Sequence, residues 1–500
     1  MFESKILDLI ENFEVKELSS FALSKTKILA FLTGIGLSSF AYKTIQIYLL
    51  RRRYRHIPGP ETKGILGFYL GNSSDVVDSR KNGMYPDLVV EWIREYGNVI
   101  KYQIGDKMFL FTVDTDAIRE MFVTKNFPKP KESTRVFGFP LDYRFLGNGL
   151  LTELDNDRWK YRRHVFNPSF SKKALENYAD EFDNKGERLM ERLRTIADGK
   201  TICFGMQIDS ITSKNELKTY LAESLIKFNE VLVDPTIKFT LSGRLMMWRY
   251  KSILNNLREL GRSQILKRIK HMKEGGHLID DFLTTMIKNY QNSDFVIEDM
   301  IDEFVTFFIT GQETTANLMA ALVLELGQRP EILKKVKDEI DFEIGSKRTI
   351  GCEDVQKLKY LNSVIKETLR VWSVIPFLGR TNDVPFKIGK YDIPIGSDIL
   401  TCSYVSGKME EFFPNPLEFD PERFHSNKHE IKNYTYFPFG MGTRICIGMN
   451  FSQIETKVLM VKLIQNFDFK LDPTQSFKPV QNSTIGPADR VRCTLTFRNA

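Results

Sequence analysis

The first pattern along the chain is a run of apolar residues from Ile28 to Leu50 (ILAFLTGIGLSSFAYKTIQIYLL), broken by one charge, Lys43. Its 23 residues match the length of a bilayer-crossing helix. Lys43 lies near one end, where a lysine can snorkel to the headgroups. A basic cluster, RRRYRH at 51–56, follows it, against Lys25 and Lys27 on the other side. By the positive-inside rule everything after residue 50 then lies in the cytosol. The expectation is a lumenal segment at 1–27, a single-pass N-terminal membrane anchor at 28–50 and a basic and proline hinge at 51–60, ending in Ile57-Pro-Gly-Pro60. The long segment ahead of the run, without a small-residue cleavage site, disfavours a signal peptide. Within it, Ile6, Leu9, Ile10 and Phe13 share a helical face, which suits an interfacial helix or a plain tail.

Beyond the hinge the periodicity changes. NVIKYQI and KMFLFTV, separated by Gly105-Asp106, alternate as a β-hairpin does. From about 155 to 375 the spacing is helical, as in Leu175, Tyr178, Phe182, Leu189, Leu193 and Ile196. A long helix is expected over Ile297 to Gln328, stopped before Pro330, and another over about 357–372. A third should follow Cys446, where Ile447, Phe451, Ile454, Val458 and Val461 recur. Short strands return at 386–403 and near the C-terminus. The fold class is mainly α with a smaller β portion, in one domain over 61–500.

Composition narrows the chemistry. An apolar fraction of 42% and a charged fraction of 27% are ordinary for a globular chain. A net charge of +7 over 500 residues suits an acidic partner or an anionic membrane, and no nucleic-acid-binding motif is present. The five cysteines are scattered, with no CxxC pair, which argues against a disulfide scaffold or a zinc site.

One cysteine stands in a loop built for chemistry. In FPFGMGTRICIGMN, Gly440 and Gly442 permit unusual turns, and Arg444 places a cation two residues before Cys446. Cys446 precedes a helix whose free N–H groups favour a thiolate, and Gly448 allows a flat group to approach the backbone. A cysteine alone is more often an inert buried residue. The loop as a whole resembles the signature of the cytochrome P450 family, matched by Phe439, Gly440, Gly442, Arg444, Cys446 and Gly448. The resemblance implies that Cys446 is the axial ligand of a haem b iron and that Arg444 contacts a propionate.

Other motifs follow in the family's order. KETLR carries Glu367 and Arg370 three apart on one helix face, and FDPERF carries Arg423. Alone, the first is a routine ion pair. The resemblance gives all three a structural role beneath the haem loop. FFITGQETTAN resembles the oxygen-activating segment, with Glu313 and Thr314 as the catalytic acid–alcohol pair that manages protons. Thr310 stands where the family has Ala or Gly. Trp159 and Arg163 in RWKYRR, and Arg380 in PFLGRTND, match positions that seat the haem propionates. Segments 137–148, 307–314 and 374–378 would line an apolar substrate pocket.

The implied activity is hydroxylation of a hydrophobic small molecule with O2 and electrons from NADPH through NADPH-cytochrome P450 reductase, at the endoplasmic reticulum membrane. FFITGQETTAN, EIGSKRTI and YVSGKMEEFFPNPLEFDPERF are similar to cholesterol 24-hydroxylase-like members, which implies a sterol such as cholesterol. A haem-thiolate isomerase is an alternative that retention of Glu313 and Thr314 disfavours. A vestigial haem-binding protein is the other. It is motivated by DGKT at 198–201, which passes almost directly into FGMQ at 204–207, and by the lack of a helical period over 199–215. One core helix near 198–207 is therefore expected to be lacking.

Overall fold

The computed structural model describes residues 25–498 except 82, 198, 200, 277–280, 291–295, 426–429 and, between 205 and 239, all but Ser224 and Phe228. The helices that position the site are α1 Lys25–Arg53, α2 Gly64–Leu70, α3 Asn156–Phe166, α4 Ala179–Ile196, α5 Leu241–Lys273, α6 Ile297–Gln328, α7 Lys359–Trp372 and α8 Met449–Asn466. The expected bounds of α6 hold. Its start is capped by Asp299, whose carboxylate accepts from Val296 N at 3.1 Å, and Pro330 opens the next helix. Between Leu318 and Leu326 it is buried all round, as a core helix must be. It packs against α5, α7 and α8, and α4 lies on α8. The helix expected through Leu175 and Ile196 is interrupted at Tyr178, after a short helix Lys172–Asn177.

The hairpin is β1 Val99–Ile104 and β2 Lys107–Thr112, turning at Gly105 with φ of 56°. A second sheet begins at β3 Thr201–Cys203. β4 Leu378–Thr381 was not foreseen. It is followed by a small hairpin, β5 Phe386–Ile388 and β6 Tyr391–Ile393, and by β7 Asp398–Thr401. β7 runs parallel to β2 and antiparallel to β4, giving the order β1-β2-β7-β4. β8 Phe467–Leu471 and β11 Arg492–Phe497 complete the second sheet, ordered β3-β11-β8. β9 Pro479–Gln481 and β10 Ile485–Pro487 form a hairpin against α6. The chain is mainly helical with a smaller sheet portion, as expected.

The single-pass anchor expected at 28–50 is not supported. Among the described residues no helix is long and apolar enough to cross a membrane. Helix α1 does form, but Thr33, Ser38, Ser39, Lys43, Thr44 and Gln46 dilute its apolar run. Its second half is also taken up by the domain. Lys43 pairs with Asp106 at the turn of the hairpin, and Thr44 Oγ1 lies 2.6 Å from the Tyr69 hydroxyl on α2. The 51–60 segment is likewise tied down. Arg51 donates to Gln103 Oε1 at 2.8 Å and to Gly67 O at 2.6 Å, and Lys101 N donates to Pro58 O at 2.8 Å. Residues 1–24 lie outside the described residues. So do residues 198, 200 and 205–207 of the stretch where a core helix was expected to be lacking. The described chain runs from α4 through β3 to buried Phe204, whose N–H meets Val491 O at 2.8 Å.

Candidate functional site

The loop before α8 folds back on itself. Gly440 and Gly442 have φ of 73° and 69°, which only glycine adopts without strain. A Cβ on Gly442 would sit 1.9 Å from Phe122 O, so the loop is pressed onto the chain at 122–126. Thr443 Oγ1 donates to Asn126 Oδ1 at 2.9 Å, and Cys446 N donates to Phe439 O at 2.9 Å. Phe439 thus closes the loop with its carbonyl while its ring packs on the main core. Beside Gly448 the sole neighbour a Cβ would meet is Cys446 Sγ, at 3.9 Å.

Cys446 has exposed surface, yet protein surrounds it densely. Burial pushes the thiol up, while the Gly448 N–H and the Arg163 charge pull the other way. Burial is the largest of these influences.

Helix α3 supplies the wall beside the loop. Asp155 caps it, accepting from Asp157 N at 2.9 Å and Arg158 N at 2.8 Å. Trp159 and Arg163, one turn apart, both face the loop. The Arg444 guanidinium lies 4.3 Å over the Trp159 ring, and Arg163 Nη1 donates to Ile445 O at 2.8 Å. Arg163 thus grips the residue before the cysteine. Arg162, fully buried, fixes α3 to α6 through Glu303 at 2.6 Å and Asp299 at 2.8 Å. Sequence reasoning missed this clamp. Its partners lie 141 and 137 residues away, so no periodicity announces it.

A cluster of cations lies near the loop, with Lys129 and Arg380 close enough to Arg444 to feel its charge. Arg444 donates to Glu153 O at 3.0 Å and to Asn156 Oδ1 at 2.9 Å. Lys129 donates to Leu151 O, two residues along the same segment. Arg380, on β4, is buried and has no partner for Nε. β4 is held beside Lys129 by Thr381 N donating to Pro128 O at 2.9 Å. Burial and the Arg444 charge push Arg380 down to about 10, and burial pushes Arg444 to about 10. Burial, then Arg444 and Arg380, push Lys129 down to about 7. Lys129 was also missed in the sequence, where PKPKE reads as an exposed loop.

On α6, Thr314 Oγ1 donates to Thr310 O at 2.7 Å. Thr310, the departure from the family pattern, donates its hydroxyl to Thr306 O at 2.7 Å, so the extra polarity is satisfied within the helix. Glu313 Oε1 accepts from Ser483 and Thr484 at 2.6 and 2.7 Å. Thr315 joins α6 to α8 through Ser452 at 3.2 Å.

Comparison with known proteins decides what this arrangement belongs to. Residues 67–490 match the family model of Cytochrome P450. The chain belongs to the cytochrome P450 family. Cytochrome P450 4d8 of Drosophila melanogaster is 26% identical, over 76% of this chain and 89% of its own length. Cytochrome P450 3A12 of Canis lupus familiaris is 27% identical, over 83% and 85%. Cytochrome P450 CYP72A219 of Panax ginseng is 28% identical, over 79% and 81%. Similar identities to insect, mammalian and plant P450s carry the family and its haem-thiolate monooxygenase chemistry, not a subfamily.

The residues fit a P450 haem. Three clustered cations, Lys129, Arg380 and Arg444, with Glu153 near Arg444 and an orphaned buried N–H on Arg380, suit an anionic group such as paired propionates. Below the P450 loop, Arg370 makes two 2.8 Å bonds to Glu367 and donates to Gly407 O, Pro416 O and Glu418 O. Glu367 also accepts from Asp420 N at 2.8 Å, and Arg423 Nε lies 3.5 Å from it. This knot, fully buried, is structural, in line with the expectation.

Proposed function

We propose that this P450 hydroxylates a sterol such as cholesterol, with O2 and with electrons from NADPH delivered by NADPH-cytochrome P450 reductase. The observation that carries the reading is the loop that ties Cys446 N to Phe439 O at 2.9 Å, with Arg163 gripping Ile445 O and the Lys129–Arg380–Arg444 cluster near it. Cys446 is the iron ligand of haem b, and Trp159, Arg163, Arg380, Phe439 and Arg444, with Lys129, seat and orient the macrocycle. Bound haem supplies dioxygen activation, with thiolate electron density favouring O–O cleavage. Thr314 holds a hydroxyl at the oxygen side, with Oγ1 tied to Thr310 O and its lone pairs left to accept. Glu313 carries the proton that Thr314 passes on. The aromatic residues Phe137, Phe145, Phe304, Phe307 and Phe308 lie in or against the apolar cluster around α5 and α6 and suit a rigid hydrocarbon substrate.

The place of action is the cytosolic face of the endoplasmic reticulum membrane. Ile65 and Leu66 on α2 are 79% and 74% exposed, and Phe31, Leu32 and Ile35 on α1 are also exposed, which suits contact with lipid. Membranes carrying the chain, its reductase and NADPH should convert cholesterol to a hydroxylated product. Absence of any product, with haem bound, would overturn the sterol reading. Recovery of the chain in the soluble fraction without detergent would overturn the membrane assignment.

A further inference from the structure

The Glu313 carboxylate is held from outside its own helix, by the turn between β9 and β10. Ser483 Oγ donates to Glu313 Oε1 at 2.6 Å, and Thr484 Oγ1 donates to the same oxygen at 2.7 Å. The second bond has a fixed direction. Asn317 Nδ2, one turn along α6, donates to Thr484 Oγ1 at 2.7 Å, so the Thr484 proton is committed to Glu313. The turn is also rigidly placed. Asn482 N donates to Thr484 O at 2.9 Å and Ile485 N to Val374 O at 2.8 Å. A Cβ on Gly486 would stand 2.5 Å from Asn317 Oδ1, so the hairpin lies tight on α6. The two hydroxyls differ in exposure. Thr484 is buried, whereas Ser483 is half-buried beside exposed Asn482.

We infer that Ser483 is the point at which protons enter the site, with Thr484 and Asn317 as positioning residues that hold Glu313 ready to receive them. The inference rests on the monooxygenase reading and deepens its proton supply. Ser483 Oγ gives its proton to Glu313 Oε1 as its own oxygen takes one from a hydronium of the solvent, which is left as water. Glu313 then turns and hands the proton toward Thr314, the next residue on the helix. One proton moves inward and no electron moves. The polarity of the clamp suits this direction, because both hydroxyls donate to a carboxylate that accepts. A purely structural clamp would need the same bonds but would leave proton supply indifferent to Ser483.

The test uses the full chain in membranes with reductase, NADPH and cholesterol as the probe. Ser483→Ala should keep the parent's haem content. Its product formed per NADPH should fall about tenfold, the worth of one hydrogen bond in the transition state. The lost equivalents should appear as hydrogen peroxide, and the solvent deuterium isotope effect should grow. Ser483→Thr should restore all three. An unchanged isotope effect and coupling in Ser483→Ala, or no rescue by Ser483→Thr, would overturn the inference. A second readout needs no turnover. The infrared carboxylate band lost in Glu313→Gln should shift in Ser483→Ala and in Thr484→Val in the resting protein. If the parent fails to oxidise cholesterol, the substrate reading fails, while an unmoved band would still overturn the relay.

Discussion

Replacing Arg370 by Met should prevent assembly of the haem domain, although Arg370 touches no reacting atom. Its side chain is 1% exposed and reaches Glu367, which is fully buried. Removing one partner of a buried pair costs about 3–5 kcal/mol, because the other charge stays behind. Glu367 would keep the Asp420 N–H at 2.8 Å and Arg423, which softens that loss without cancelling it. Three carbonyls, of Gly407, Pro416 and Glu418, also lose their donor. A buried acceptor left unmatched costs about 1–3 kcal/mol. Even with one carbonyl recovered by water, the sum exceeds ~5 kcal/mol, which rivals the ~5–15 kcal/mol that holds a domain folded. Haem per polypeptide and the thermal aggregation midpoint measure the outcome. Arg370→Met should contain little haem and aggregate far below the parent, while Lys334→Met, which breaks an exposed pair with Asp338, should match the parent. Parental haem content and midpoint in Arg370→Met would show that the buried Arg370–Glu367 pair does not hold the domain together.

Gly442→Ala should displace the loop, since its Cβ would meet Phe122 O at 1.9 Å in a left-handed backbone, and the haem content of the purified variant should fall below the parent's. Lys129 supplies a pH test. Its folded pKa of about 7 lies below the ordinary lysine value near 10.4, so the unfolded chain binds more protons between these limits. Its destabilising effect is therefore complete below about pH 7 and is relieved as pH rises toward about 10. Apoprotein should melt at a higher temperature near pH 9 than near pH 7, and Lys129→Met should flatten this rise, as differential scanning fluorimetry would record. Binding of haem, with propionates beside Lys129, should also remove it.

Much of this was legible before any coordinates. The bounds of α6 follow from an apolar period that ends where Pro330 denies a hydrogen bond. The hairpin follows from alternation around Gly105-Asp106, and the site's residues from motifs with fixed spacing. What failed has physical causes. The anchor was judged on length, but six polar side chains share its run, and Lys43 and Thr44 are bound to Asp106 and Tyr69. A lysine that pairs far along the chain looks, in sequence, like one that snorkels. β4 was missed because Leu378-Gly-Arg-Thr381 is too short to alternate and gains its pairing from β7. Lys129, Arg162 and Ser483 were missed because their roles depend on neighbours remote in sequence.

Everything in this reading depends on Cys446 holding the haem iron as a thiolate. The reduced, CO-bound absorption spectrum of the purified full chain tests it most directly. A Soret band at the thiolate position is expected, abolished in Cys446→Ser and kept in Cys352→Ser, whose thiol donates to Leu175 O inside the protein. A parent band at the imidazole-type position, or a thiolate band that survives Cys446→Ser, would contradict it.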